Sequence, residues 1–249
     1  MTENDIPQIS IFGSSHRPQY WMDLYNSIGD NDVTFEIIFV GPKEPDYKLP
    51  DNFRFIKSLV KPTQCLEIAA RNTKADLIMN IADDFIFRTE RPLDKLCETY
   101  KSYNNDKLIL SCRYMHCGQD HSHTGHPEYG CHLFYAEDYE SPVMPIAGLI
   151  SRKLYMDIGG IDTNFITCYY DLDMAMRVYA IGGCVKLSEV YVDEPYGAGG
   201  EGYIYRDRQY LDSLWVTNGK IHFNRTRPVE SFSDDRILEI SQGRKGKWI

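Results

Sequence analysis

No stretch of this sequence stays apolar for the roughly 20 residues that a membrane-crossing helix needs. The opening residues, MTENDIPQIS, carry neither a basic segment nor an apolar one of the kind that directs a chain to secretion. Seven cysteines, at positions 65, 97, 112, 117, 131, 168 and 184, form no CxxC pair and are odd in number, which argues against a disulfide framework and leads us to expect reduced thiols in the cytoplasm. Positive charge is in short supply: 27 Lys and Arg face 36 Asp and Glu, for a net charge of -9. That balance excludes a general nucleic-acid or anionic-membrane surface. There is also no internal repeat and no low-complexity segment.

What is present is a chain of 249 residues, 43% hydrophobic, long enough to bury one substantial core. Residues 8–13 (QISIFG) and 35–41 (FEIIFVG) are compact β-branched and aromatic runs ending at glycine, the pattern of core strands in a mostly parallel sheet. Between them Trp21, Leu24, Tyr25 and Ile28 recur at i, i+3, i+4, i+7, one face of a helix. A strand is expected over 53–57, a helix from Pro62, a strand over 80–87, a helix from Pro92 carrying Leu93, Leu96, Cys97 and Tyr100, and a strand over 107–115. The resulting order, β-α-β-β-α-β-α-β, predicts an α/β fold whose central, mostly parallel sheet has helices on both faces. In such sheets ligands gather outside the carboxyl ends of the strands, where GSSHRP (13–18), GPK (41–43) and ADDF (82–85) would meet.

Asp83 and Asp84 stand side by side at one of those strand ends, with no basic residue in the sequence until Arg88. Two adjacent carboxylates there suit a hard divalent cation that completes its shell with water and phosphate. A turn cap is the structural alternative, since Asp is a common turn residue. Further on, GGIDTNF (159–165) precedes YYDLDMAMRVYAIGG (169–183), which places Asp171 in the first turn of a helix whose apolar face is Leu172, Ala175, Met176 and Tyr179. The helix dipole favours an ionised carboxylate at that position.

Taken in order, the strand leading into Ser14-Ser15-His16-Arg17, the Ala82-Asp83-Asp84 strand end, the Gly159-Gly160-Ile161-Asp162 turn and Tyr170-Asp171-Leu172-Asp173 with Arg177 resemble the nucleotide-sugar-dependent glycosyltransferases of the GT-A fold, family 2 above all, over about residues 8–185. The resemblance implies a single GT-A (Rossmann-like) domain, with a nucleotide-sugar-binding half over about 8–115, an acceptor-binding half over about 116–225 and a tail over about 226–249. It implies Asp84 as ligand to Mn²⁺ or Mg²⁺ and Asp83 at the ribose or the metal shell. It implies Asp171 as general base of an inverting transfer from a nucleotide diphosphate sugar, a UDP-sugar favoured, to the hydroxyl of a glycan or other acceptor. Ser14, Arg17, Gly41, Pro42, Lys61 and Gln64 are the remaining candidate donor contacts.

His222 is a candidate second metal ligand, because GT-A enzymes often return a C-terminal histidine to the metal and a glycine-rich loop, YGAGGEGY, precedes it. Gly148, Tyr170, His121 and His123 are assigned to the acceptor side. The histidine-rich run HCGQDHSHTGHPEYGCH (116–132) reads either as a soft-metal site or as a polar loop; its spacing matches neither HExxH nor paired CxxC motifs. The chain departs from the family where Gly41-Pro42-Lys43 replaces an acidic residue that reads uracil, where the metal motif is Ala-Asp-Asp, and where Tyr170 replaces the usual Glu. Two rivals share the core: a sugar nucleotidyltransferase, for which GSSHRP is a poor phosphate loop, and a non-catalytic sugar-nucleotide-binding domain.

Overall fold

The structure is a computed structural model, which describes residues 6–116, 118–123, 143–196 and 201–232. Four parallel strands form one half of its main sheet: β1 (Ile9–Ser14), β2 (Phe35–Gly41), β3 (Phe53–Lys57) and β4 (Leu77–Asn80), in the order β3-β2-β1-β4. The sheet continues through β8 (Leu149–Ser151), β6 (Leu108–His116), β9 (Cys184–Asp193) and β5 (Ile86–Phe87), while the short β7 (Gln119–Asp120) pairs with β6. β8 runs antiparallel to both β4 and β6, and β9 runs parallel to β6. The sheet is therefore mixed, with its four-stranded parallel part on one side. A small hairpin of β10 (Val216–Thr217) and β11 (Lys220–Ile221) stands apart.

Alternation within each strand explains why helices cover both faces. Ile9, Ile11, Ile37 and Phe39 point to one side, where they meet Trp21, Leu24 and Ile28 of α1 (Trp21–Ile28) and Leu93 and Leu96 of α3 (Pro92–Tyr103). Phe12, Ile38 and Val40 point to the other, against Leu66, Ile68 and Ala69 of α2 (Pro62–Arg71), Leu154 of α4 (Arg152–Asp157) and Met174 and Val178 of α5 (Tyr170–Ala180). Strands buried on both faces have to be apolar at nearly every position, as FEIIFVG is. A third cluster joins Leu172 and Met176 of α5 to Leu211, Leu214 and Trp215 of α6 (Glu201–Trp215).

The strand expected over 80–87 is corrected. β4 ends at Asn80, the chain turns through Ala82–Phe85, and Ile86–Phe87 form a separate strand paired with β9. Adjacent buried carboxylates cannot alternate through a sheet whose faces are both apolar, so the chain leaves the sheet at that point. The glycine-rich stretch near 200 is also shorter than its composition suggests, because α6 already begins at Glu201.

Buried carboxylates fasten the second half together. Asp173, fully buried on α5, accepts from Arg177 Nε, Trp215 Nε1 and Arg225 Nε, each at 2.9 Å. Asp162 accepts from Tyr210 Oη at 2.9 Å and from Arg225. Asp207 of α6 accepts the N–H groups of Ile166, Thr167 and Cys168 at 2.8–3.0 Å and so shapes the loop entering α5. Glu67 accepts from Arg71 and from the N–H of Ile161, and Gly160 with φ 71° passes so close that a Cβ would lie 2.7 Å from its carboxylate. The Gly-Gly-Ile-Asp turn is thus a structural junction. Removing one partner of such a buried ionic network typically costs about 3–5 kcal/mol. We expect Asp173→Ala to lose about that much stability in urea unfolding; a loss under about 1 kcal/mol would contradict the network's role.

Candidate functional site

A cleft of about 460 Å³ opens at the carboxyl ends of the parallel strands. Ser14 ends β1 and Ser15 to Arg17 follow it, Val40 and Gly41 end β2 and Pro42 follows, Ile81 to Asp84 follow β4, and Glu194 follows β9; Val60 just before α2, Pro62, Cys65 and Leu66 within it, Thr167, Tyr170 and Tyr203 complete the wall. Glycine is needed at 41 because the chain after β1 crosses directly over it: a Cβ there would lie 1.6 Å from the Ser15 carbonyl oxygen.

Asp83 organises the loop after β1. Its Oδ2 accepts from Ser15 Oγ at 2.6 Å and from the N–H groups of Arg17 at 3.1 Å and His16 at 3.3 Å, while its Oδ1 accepts from Arg17 Nε at 3.0 Å and Nη2 at 2.6 Å. Trp21 Nε1 donates to the same Ser15 hydroxyl, which ties the loop to the first turn of α1. A carboxylate receiving so many donors holds its loop in one geometry, and charge-assisted bonds of this kind are the strong ones.

Asp84 is placed differently. It is 0% exposed, and neither carboxylate oxygen accepts a well-aligned hydrogen bond from the described residues. Its nearest charge is Arg17, whose Nη1 stands 2.8 Å from Asp84 Oδ2. Burial pushes its pKa up to about 7; the Arg17 guanidinium works against that rise, and Glu194 and Asp83 add to it. Arg17 alone does not offset the cost of burying this carboxylate, which leaves it suited to a further positive charge.

Glu194 was not singled out from the sequence. It lines the cleft at the end of β9, accepts the Tyr114 hydroxyl and has His116 Nδ1 3.8 Å away. The available signal was positional: an acidic pair, Asp193-Glu194, at the end of the alternating run of β9, as Asp83-Asp84 come soon after β4.

Of the residues picked from the sequence, Ser14, Arg17, Gly41, Pro42, Asp83, Asp84 and Tyr170 line this cleft. Tyr170 donates to Asn80 Oδ1 at 3.0 Å, which binds the start of α5 to the end of β4. Asp171, the second residue of α5, is not among the lining residues; its carboxylate accepts the N–H of Leu172 at 2.9 Å, and burial lifts its pKa to about 6 against that hydrogen bond. Lys61 is buried at the head of α2, with its pKa lowered by burial and by Arg206, and Gln64 turns back to accept the Lys61 N–H at 3.4 Å; neither lines the cleft.

Gly148 is a packing glycine, where a Cβ would meet Ile109 at 2.9 Å. His222 lies just after the β10–β11 hairpin, its N–H donating to the Trp215 carbonyl at 3.0 Å, and is not brought to the cleft. His121, with its ring 6.3 Å from that of His116, and His123 are also absent from the lining, and His126, Cys117, Cys131 and His132 fall outside the described residues. No group of three or more His, Cys, Asp or Glu among the described residues is arranged to hold a metal by itself.

No protein-family model matches the sequence, and no curated protein matches it significantly. Solved structures do match by shape. GalNAc-T7, determined with UDP, GalNAc and Mn²⁺, superposes with a TM-score of 0.60 over 98% of this chain at 10% identity. TarS from S. aureus superposes with a TM-score of 0.58 over 95% of this chain at 13% identity, and its fragment 1–349 in complex with UDP-GlcNAc with 0.54 over 80% at 13%. The chain has the GT-A fold. It spans 55%, 43% and 60% of those three chains respectively. In each comparison the likeness is one of backbone architecture, and at such identities it is the fold that is shared.

The raised pKa of Asp84 has a signed consequence. Its folded value, about 7, exceeds its ordinary value of 3.8, so its contribution to stability is fully present below about pH 4 and is lost as pH rises through about 7. Asp84→Asn removes this titration. Measured without metal, the stability of the wild type relative to Asp84→Asn is expected to fall between pH 4 and pH 8; a difference that stays flat would show that Asp84 ionises freely.

Proposed function

We propose that the chain is a metal-dependent glycosyltransferase that moves a sugar, a hexose in our reading, from a nucleotide diphosphate donor to an acceptor hydroxyl. The observation that carries the proposal is Asp84: a fully buried carboxylate whose one close charged partner is Arg17, in a cleft at the strand ends of a GT-A fold. The structural neighbours bound to UDP and UDP-GlcNAc support UDP as the carrier, and the neighbour with Mn²⁺ supports that ion ahead of Mg²⁺.

The residues present fit one divalent cation. Asp84 offers Oδ1 and, once Arg17 moves from it, Oδ2; Glu194 lines the same cleft, and small oxygen-seeking cations take few protein ligands and complete their shell with water and phosphate. Such a cation would neutralise charge that builds on the departing diphosphate. Asp83 keeps Ser14 to Arg17 in place as the diphosphate floor, and Val40, Gly41, Pro42 and Val60 offer a mostly apolar slot for the base, which has no acidic reader. Lys61 and Gln64 act one layer back, by setting the start of α2.

On the acceptor side, Asp171 takes the proton of the attacking hydroxyl as that oxygen forms its bond to the anomeric carbon and the bond from that carbon to the diphosphate breaks. Its support is its raised pKa and its place beside Tyr170, which does line the cleft. A pKa near 6 leaves it ionised and basic at neutral pH, which suits general-base work. We place the protein in the cytoplasm, a reading supported by the five described cysteines, all free thiols.

The test has two steps. A thermal-shift panel of nucleoside diphosphates and nucleotide sugars with Mn²⁺ should raise the melting temperature for one base; a ligand at a hundredfold its Kd adds about 2.7 kcal/mol. With an acceptor in hand, Asp171→Asn should slow transfer by about 10² to 10⁴ while donor affinity holds, and wild-type transfer should decline as pH falls below about 6. Transfer by the variant within a few-fold of wild type would remove Asp171 as base.

A further inference from the structure

Arg17 raises a problem of access. Asp84 is 0% exposed, and the guanidinium of Arg17, with 19% of its side chain exposed, stands against it at 2.8 Å. A cation cannot take Asp84 Oδ2 while that contact holds. Arg17 is anchored on the other side as well: its N–H, Nε and Nη2 all donate to Asp83, and its guanidinium lies 5.8 Å from the centre of the Tyr20 ring, itself stacked at 4.0 Å on Tyr196. The bonds to Asp83 from the Arg17 N–H, the His16 N–H and Ser15 Oγ fix the loop independently of the guanidinium, so that rigid plane can swing off Asp84 and Asp83 together while the backbone keeps its place.

We propose that Arg17 is a displaceable counter-cation, which screens Asp84 in the free protein and turns to the donor diphosphate when a divalent cation takes its place. The inference rests on the glycosyltransferase reading above and adds a coupling to it. With Asp84 ionised, two carboxylates and one guanidinium leave the cluster net negative, so a diphosphate arriving alone meets repulsion. A cation arriving alone must displace Arg17 from Asp84 without offering it a new partner. When both arrive, the cation satisfies Asp84 and the diphosphate satisfies Arg17, whose planar fork suits phosphate oxygens. Cation and diphosphate then each tighten the other by the same factor.

The experiment measures Mn²⁺ binding by electron paramagnetic resonance and calorimetry for wild type, Arg17→Ala, Arg17→Lys and Asp84→Asn, with and without UDP, corrected for Mn²⁺–UDP complexes in solution. In wild type, UDP should tighten Mn²⁺ binding about tenfold or more, within the usual range of couplings between sites. Arg17→Ala should bind Mn²⁺ alone about tenfold more tightly than wild type, lose most of the coupling, and gain more in melting temperature from Mn²⁺ than wild type does. Arg17→Lys keeps the charge without the fork and should move in the same direction by less, which preserves the test if the alanine variant does not fold. Variants that bind Mn²⁺ no more tightly than wild type, while wild type still binds Mn²⁺ with UDP and Asp84→Asn does not, would overturn the counter-cation alone. Absence of Mn²⁺ binding to wild type even with UDP would overturn the metal reading and this inference with it.

Discussion

The geometry of the cleft depends on one ionic cluster, Asp83–Arg17–Asp84, formed where two neighbouring parallel strands end. β1 and β4 are paired in register from Ile9 and Leu77 to Phe12 and Asn80, and the chain continues from each into a charged turn. Each carboxylate would be costly to bury alone, since desolvation of an ion outweighs most single interactions. Arg17 makes the pair tolerable, and Asp83 in return fixes the Ser14–Arg17 loop through backbone and side-chain donors. The division of labour is asymmetric: Asp83 is fully engaged by the protein, whereas Asp84 is left with an ion pair and no well-aligned hydrogen bond from the described residues.

The chain also carries a set of acidic residues with a different task. Glu67, Asp162, Asp173 and Asp207 are all buried and all well supplied with donors from Arg71, Tyr210, Arg225, Trp215 or backbone N–H groups. They join α2, the Gly159-Gly160 turn, α5, α6 and the segment around Arg225 into a frame behind the cleft. Hydrogen-bond satisfaction therefore separates the structural carboxylates from Asp84 more clearly than burial does, because both kinds are buried.

Much of the fold was legible because its strands obey the simplest rule: FEIIFVG and FRFIK appear as strands at the expected residues, and Pro62 and Pro92 each open a helix as the first-turn preference of proline implies. The break after Asn80 was missed because the apolar alternation of NIADDFIF continues across it; only the pairing of Ile86–Phe87 with β9, about 100 residues later in sequence, reveals two strands. The strand-end rule brought Ser14, Arg17, Gly41, Pro42, Asp83 and Asp84 together correctly as neighbours. What lay beyond it was long-range: that Arg17 would bridge both carboxylates, that Glu194 would arrive from β9, and that the Trp215 carbonyl would hold His222 near the hairpin, away from the cleft. Periodicity reports which face a residue takes, and these are facts about partners across the chain.

The central claim is that the strand-end cleft holds a nucleotide diphosphate beside a cation at Asp84. Its most direct test is a crystal structure of the protein with UDP and Mn²⁺, read by anomalous scattering at the manganese edge. The account predicts an anomalous peak within coordination distance of an Asp84 oxygen, with the diphosphate between it and the Ser14–Arg17 loop. Nucleotide bound outside this cleft, or a diphosphate in the cleft with manganese bound away from Asp84, would contradict it.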